Sequence, residues 1–466
     1  MSHTILRGLS TRSRLLGEAR WRKPPKDVIR RSGIQQFVRE RASLDDAGLG
    51  RTRARSFAFE HLNTAEMDDL CIETPRRELS CYPLLLMVFL SPSFSSPARI
   101  GSGKIVFFGL LFTGLACASP LLLLLSTAVL AFVLPILYRE NDSGEHRRKL
   151  YHEFLQRDDL PERLRCKDVN LNERYWTNDR GMILLTSIMT PKGRTRWQNE
   201  PKGVILFCHG YQDNPSFLKR MEYQRFVKAG FAVVMIEYEG HGRSDGPNAL
   251  IPCFDTLLND VHAYFEYVVK TEFPRKKRFL MGESMGGAVA YSLIQNRPDF
   301  YDGVILVAPM VKIQIVPPDW ITNIFYRIVG KSGTVDSFTI LPIAPSKGGD
   351  IASLSFKDEK KLRWAKVCPT KHDRKPRLAT ARELLDATRK ISATLGDFDA
   401  PFLVQHGLED YVTCPEISEA LYRESQSKDK TLKLYEGMRH NLTAGELDEN
   451  IDTVFNDAIE WALKRC

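Results

Sequence analysis

The sequence predicts an α/β fold: a mainly parallel central sheet with helices on both faces, an inserted helical lid and, ahead of these, an N-terminal membrane segment. Three observations predict it. From residue 150 onward, short apolar runs bounded by turn residues alternate with helical stretches, the pattern of strands buried on both faces of a parallel sheet. Residues 314–396 break that alternation with helical patterns of their own, and they are too long for a crossover loop. Residues 105–138 run for 34 positions without a charge between Lys104 and Arg139, whereas about 20 apolar residues suffice to cross a bilayer.

The chain of 466 residues is longer than one compact domain of about 300 needs. Its net charge of +9 is uneven: +5 in residues 1–80, +3 in 81–150 and +1 in 151–466. Residues 1–80 are expected to be a basic disordered region or targeting segment, with residues 1–44 shaped like a transit peptide or a basic arm. Residues 81–149 are expected to be membrane-associated. Segment 105–138 would form a tilted span or a hairpin near Pro120, with Arg147, Arg148 and Lys149 beyond its far end. A membrane location follows, with the larger domain facing the cytosol and a plastid, mitochondrion or endoplasmic reticulum as the organelles considered.

Residues 150–466, nearly neutral, lack the basic footprint of nucleic-acid binding. Nine scattered cysteines without a Cys-x-x-Cys pair argue against a disulfide framework or a zinc site.

Within 150–466, Tyr175–Trp176 and Met182–Met189 flank the turn Asn178–Gly181 and read as a hairpin. Val204–Phe207, Ala232–Tyr238, Arg278–Met281, Val304–Ala308, Phe402–Gln405 and Thr431–Tyr435 are the remaining strands. Helices are expected over Leu218–Lys228, Asp255–Thr271 and Met285–Gln295. In the lid, Ile321, Ile324, Phe325, Ile328 and Val329 fall on one helical face, with Asp319 as a cap and Gly330 as the stop.

Gly282-Glu283-Ser284-Met285-Gly286 joins the strand Arg278–Met281 to a helical stretch, the context that a Gly-x-Ser-x-Gly elbow requires. Such a turn exposes the serine hydroxyl and aims helix N–H groups at developing negative charge. A serine nucleophile needs a base, and the base an orienting acid. Asp410 follows the strand Phe402–Gln405, with Glu409 as a competing acid, and His440 follows the run Thr431–Tyr435. The order Ser284, Asp410, His440 places all three at one edge of the sheet. His209-Gly210-Tyr211 follows the strand Val204–Phe207, so the Tyr211 and Met285 backbone N–H groups form the expected oxyanion hole, with His209 itself structural. The pattern calls for no cofactor and no metal. A neutral His440 base implies a rate that falls at acid pH.

On these residues the chain from about Tyr151 to Arg465 resembles the monoglyceride lipase family of α/β-hydrolases, and its plant branch of lysophospholipases and caffeoylshikimate esterases. The matching motifs are His209–Asp213, Glu237–Gly246, Gly282–Gly287, Ala308–Ile313, Lys375–Leu378 and His406–Thr413. The resemblance implies catalytic Ser284, Asp410 and His440, an oxyanion hole at Tyr211 and Met285, and a lid over 314–396 that shapes an acyl pocket. It also implies a polar contact from Asp213 to the alcohol end of the substrate. The expected activity is cleavage of a monoacylglycerol or lysolipid ester by a membrane-associated enzyme, with a lipid ester and the bilayer as partners. Acyl transfer with the same three residues, a non-lipid ester as substrate, and a non-catalytic scaffold are the alternatives. Glu283, Gln212 and Cys414 depart from the family pattern.

Overall fold

The computed structural model describes residues 143–193, 200–312, 319–333, 335, 351–370 and 375–466. Eight strands form one sheet in the order β1-β2-β4-β3-β5-β6-β7-β8. They are β1 (Val169–Thr177), β2 (Ile183–Pro191), β3 (Gly203–Cys208), β4 (Ala232–Ile236), β5 (Lys277–Glu283), β6 (Gly303–Val307), β7 (Phe402–Gly407) and β8 (Lys430–Tyr435). The expected hairpin is present, with β1 and β2 antiparallel; β2 is also antiparallel to β4. Every pairing from β4 to β8 is parallel. All the expected strands appear with ends shifted by one or two residues, except that β1 starts at Val169, well before the Tyr175–Trp176 read from the sequence.

Among the described residues the helices are α1 (Gly144–Phe154), α2 (Arg220–Lys228), α3 (Phe254–Glu272), α4 (Met285–Asn296), α5 (Asp319–Val329), α6 (Ile351–Ser355), α7 (Glu359–Val367), α8 (Leu378–Ala393), α9 (Pro415–Glu424) and α10 (Asp448–Leu463). Side chains alternate along β3: Val204, Leu206 and Cys208 enter one core, Ile205 and Phe207 the other. The first core is closed by α3, α4, α8 and α9, the second by α2 and α10. On α3 the buried residues Phe254, Leu257, Leu258, Val261, Tyr264, Phe265, Val268 and Val269 recur at helical spacing. Full burial of such a side chain contributes roughly 1.5–3 kcal/mol, which fixes the helix on the sheet.

The helix expected over Leu218–Lys228 begins instead with a π turn, Pro215–Lys219, before α2. Pro215 supplies no N–H at that start, and the turn carries Lys219 into the interior, where it is 1% exposed.

The helix expected from the face of Ile321, Ile324 and Phe325 forms as α5, but that apolar face is not fully covered. Val329 is buried, Phe325 packs beside it against Leu378, and Ile321 and Ile324 are exposed.

The membrane segment requires correction. Among the described residues no helix is long and apolar enough to cross a membrane, and 105–138, like most of 1–149, lies outside the described residues. The longest helix among the described residues, α3, is amphipathic and carries Asp255, Asp260, Glu266, Lys270 and Glu272. Two of the basic residues read as a membrane flank, Arg147 and Arg148, serve the α/β unit, while Lys149 is exposed and pairs with Glu145 on its own helix. Arg147 is buried on α1, with Nε 2.7 Å from Gly242 O and Nη2 3.0 Å from Gly246 O. Arg148 pairs with Asp245 at 2.9 Å. The fold class is corrected to a mixed α/β sheet with flanking helices. The membrane-associated activity, the bilayer partner and the membrane location, organelles included, are withdrawn with the segment.

Candidate active site

β5 ends at Glu283 and α4 begins at Met285, which leaves Ser284 to turn the chain between them at φ 56°, ψ −120°. A non-glycine residue there costs about 1–3 kcal/mol and persists only where its surroundings hold it. Here they do. Ser284 N–H donates to Val307 O at 3.0 Å, and Ser284 O accepts from Gly287 N at 2.9 Å and Met310 N at 2.9 Å. The flanking glycines have a steric cause. A Cβ on Gly286 would lie 1.9 Å from Cys208 O, and one on Gly282 would lie 2.1 Å from Gly286 O. Helix α4 therefore starts against the end of β3 only because both side chains are absent.

Asp410 follows β7 and His440 follows β8, on the same edge of the sheet as Ser284. His440 Nδ1 lies 2.7 Å from Asp410 Oδ2. The other oxygen, Oδ1, accepts from Val412 N at 2.7 Å and Thr413 N at 2.9 Å. Burial alone would push the Asp410 carboxyl up. The charge of His440 and the hydrogen bonds from His406 and His440 outweigh it and hold the carboxyl well below the usual carboxylate range. Glu409 is exposed and Asp410 is buried, and it is Asp410 that meets the histidine. No hydrogen bond joins the Ser284 hydroxyl to His440 among the described residues. Ser284 O holds Met310 N, and Thr413 Oγ1 reaches Ala308 O at 3.2 Å. The loop after β6 thus ties the elbow to the acid loop.

The β3 loop passes against the elbow: a Cβ on Gly210 would lie 3.5 Å from Ser284 Cβ. The Tyr211 hydroxyl donates to Ala249 O at 3.0 Å and holds this loop. Tyr211 N–H and Met285 N–H stand on the two segments that border Ser284. The Met285 N–H opens α4 and has no acceptor within the helix. His209 is fully buried and stacked on Tyr238, accepts from Tyr238 N at 3.1 Å, and is pushed down to about 3 by burial. It is a neutral structural residue, as expected.

Asp213, the candidate for the alcohol end, is half-buried, and its Oδ2 lies 3.8 Å from Lys219 Nζ.

Several participants were missed in the sequence. His406 donates to Asp410 Oδ2 at 3.0 Å and lies 2.7 Å from Ser418 Oγ. Thr413 Oγ1 lies 2.8 Å from Asp410 Oδ2 and 3.1 Å from His440 Nδ1. The motif His406–Thr413 contains both, so position alone could have flagged them. Lys219 and Glu283 form a buried ion pair beside the elbow, which no local pattern announces.

The family described as serine aminopeptidase, S33, matches residues 199–448, a span that includes Ser284, Asp410 and His440. Caffeoylshikimate esterase of Arabidopsis thaliana is 32% identical over 299 residues, covering 62% of this chain and 88% of that protein. Monoglyceride lipase of Mus musculus is 25% identical over 305 residues, covering 62% of this chain and 90% of that protein. A crystallised soluble variant of the Saccharomyces cerevisiae monoglyceride lipase shares the fold, with a TM-score of 0.53 at 20% identity over 66% of this chain and 98% of that one. With the strained elbow, the parallel sheet and a match over more than half its length, the chain belongs to the serine aminopeptidase S33 family of α/β-hydrolases, related to the monoglyceride lipases and esterases.

Proposed function

We propose that the chain is a serine carboxylic-ester hydrolase that works through an acyl-enzyme, with Ser284 as nucleophile, His440 as general base and Asp410 as its orienting acid. The observation that carries this reading is the 2.7 Å contact between Asp410 Oδ2 and His440 Nδ1, on the sheet edge where Ser284 is held in a strained turn. Ser284 Oγ attacks the ester carbonyl and its proton passes to His440 Nε2. The Tyr211 and Met285 N–H groups take the charge that develops on the carbonyl oxygen. The C–O bond to the alcohol breaks as His440 returns the proton to the leaving oxygen. A water molecule then repeats the sequence on the acyl-enzyme and regenerates Ser284.

The substrate we propose is a monoacyl ester of a small polyol, of the monoacylglycerol or lysolipid kind, with Asp213 toward the alcohol. The likeness to the monoglyceride lipase of Mus musculus supports this class. The exposed Ile321 and Ile324 of α5 supply apolar surface on the lid.

The test compares the full chain with Ser284→Ala on a monoacylglycerol, a lysophospholipid and a hydroxycinnamoyl ester, with and without an alcohol acceptor. The expected result is release of fatty acid from the monoacylglycerol and a loss of about 1000-fold or more in the variant. Unchanged turnover in Ser284→Ala would overturn the proposal, and acyl product appearing only on the acceptor would replace hydrolysis with transfer.

A further inference from the structure

Four side chains from three distant segments meet behind the elbow. Lys219 comes from the π turn before α2, Glu283 is the residue preceding Ser284, and Asn441 and Thr443 follow His440. Lys219 is 1% exposed and Glu283 4%. Lys219 Nζ donates to Glu283 Oε2, to Asn441 Oδ1 at 2.9 Å and to Thr443 Oγ1 at 2.8 Å. An ammonium has three N–H donors, and these three acceptors use all of them. Thr443 Oγ1 in turn donates to Glu283 Oε2 at 2.7 Å, which closes the ring.

We infer that Lys219 and Glu283 are positioning residues that lock the nucleophile elbow to the histidine loop; the inference rests on the roles proposed for Ser284 and His440. The geometry gives a direct reason. Ser284 and His440 share no hydrogen bond among the described residues, so their mutual placement must come from elsewhere. Glu283 is bonded to Ser284 through the chain, and Asn441 is bonded to His440. The Lys219 ammonium is the shared partner of both neighbours. A buried ion pair offers little net stability, because desolvation offsets the attraction. What it does offer is direction: three short charge-assisted contacts admit one relative placement of the two segments.

A purely structural pair and a positioning pair differ in what they change. Loss of a structural pair lowers the unfolding temperature and leaves the folded protein equally reactive. Loss of a positioning pair lowers the reactivity of the folded fraction. The charge of the pair also acts on the base. Glu283→Gln leaves the Lys219 charge unbalanced beside the histidine loop, which disfavours imidazolium and moves the acid limb of reactivity to lower pH. Of the other charged or titratable groups, Asp410 touches His440 at 2.7 Å, His406 reaches the same carboxylate oxygen at 3.0 Å, Asp213 lies 3.8 Å from Lys219, and Arg439 and Glu446 belong to the histidine's own segment, joined by Arg439 N–H to Glu446 Oε1 at 2.6 Å. None of these is altered in the variants.

The experiment measures phosphonylation of Ser284 by a fluorophosphonate in the full-length chain, which requires no knowledge of the natural ester. Lys219→Met, Thr443→Val and Glu283→Gln are compared with the unaltered chain, with thermal unfolding followed in parallel. The expected result is a maximal rate reduced about 100-fold in Lys219→Met and about 10-fold in Thr443→Val, with the half-saturating probe concentration within about two-fold. In Glu283→Gln the acid limb should move down by about half a pH unit. Should Lys219→Met fail to fold, Thr443→Val decides, because it keeps the ion pair and removes only the bridge. Rates within two-fold in the folded variants, or an acid limb that stays in place, overturn the inference while the ester-hydrolase reading stands. An unaltered chain whose Ser284 is not labelled overturns both.

Discussion

His406 and His440 share one oxygen of Asp410, at 3.0 and 2.7 Å. The carboxylate thus receives two imidazoles on Oδ2 and two backbone N–H groups on Oδ1, so it is oriented from every side before any substrate arrives. Asp410→Asn keeps the size but presents N–H donors to groups that already donate. The expected outcome is a kcat lower by about three to four orders of magnitude, from the wrong histidine tautomer, with only a modest change in KM. Steady-state kinetics on an ester substrate check it.

Thr413 supports the same contact from the side. Its hydroxyl lies within hydrogen-bond reach of Asp410, His440 and Ala308 O. Thr413→Val keeps the shape and removes the oxygen. The lost hydrogen bond should cost about 1–2 kcal/mol in stability and about 10-fold in kcat, since the loop after β6 no longer holds the acid loop. Chemical denaturation and kinetics on one preparation separate the two effects.

The elbow tolerates less. A Cβ at Gly286 would lie 1.9 Å from Cys208 O and 2.7 Å from His209 O, both of them backbone atoms. They cannot rotate away, so Gly286→Ala must move α4 off β3. The expected loss exceeds about 3 kcal/mol, seen as insoluble protein or a much lower unfolding temperature. The control is Gly396→Ala, which meets nothing within 4 Å and should change stability little.

The parts of this molecule that were legible in the sequence are those whose cause is local. Val204–Phe207 and Val304–Ala308 read as strands because burial on both faces removes the polar alternation that would mask them. Gly282 and Gly286 marked the elbow because a tight turn admits no other side chain. Asp410 could be placed at a strand end by counting from Phe402. The parts that escaped depend on segments meeting in space. Lys219 and Glu283 lie 64 positions apart, and nothing near either residue names its partner. Arg147 looked like a membrane flank because a run of basic residues beside an apolar stretch has that meaning in isolation; in the fold it is buried against the carbonyls of 242–246. Ile321 and Ile324 were placed correctly on one helical face, yet periodicity does not say whether anything covers that face.

Acid should destabilise the protein in two stages. The His209 imidazole is pushed down to about 3 by burial, from an ordinary value near 6.5. The unfolded chain therefore takes up a proton below about pH 6.5 that the folded one refuses, so stability present above that pH drains away as the pH falls toward 3, by a total on the order of 4 kcal/mol. The Asp410 carboxyl is held well below its usual range, so its contribution is intact above about pH 4 and is lost only in stronger acid. Denaturant midpoints should thus fall steadily between pH 6.5 and 4 through His209, with a smaller share from the half-buried His262, whose imidazole burial pushes down to about 4, then more steeply as Asp410 joins. His209→Gln tests the first stage, because Gln offers an oxygen to Tyr238 N–H and does not titrate. The variant should be less stable at pH 7, where the stacking on Tyr238 is lost, and its stability should vary less between pH 6.5 and 4. A variant with the same slope as the unaltered chain would assign the first stage to another group.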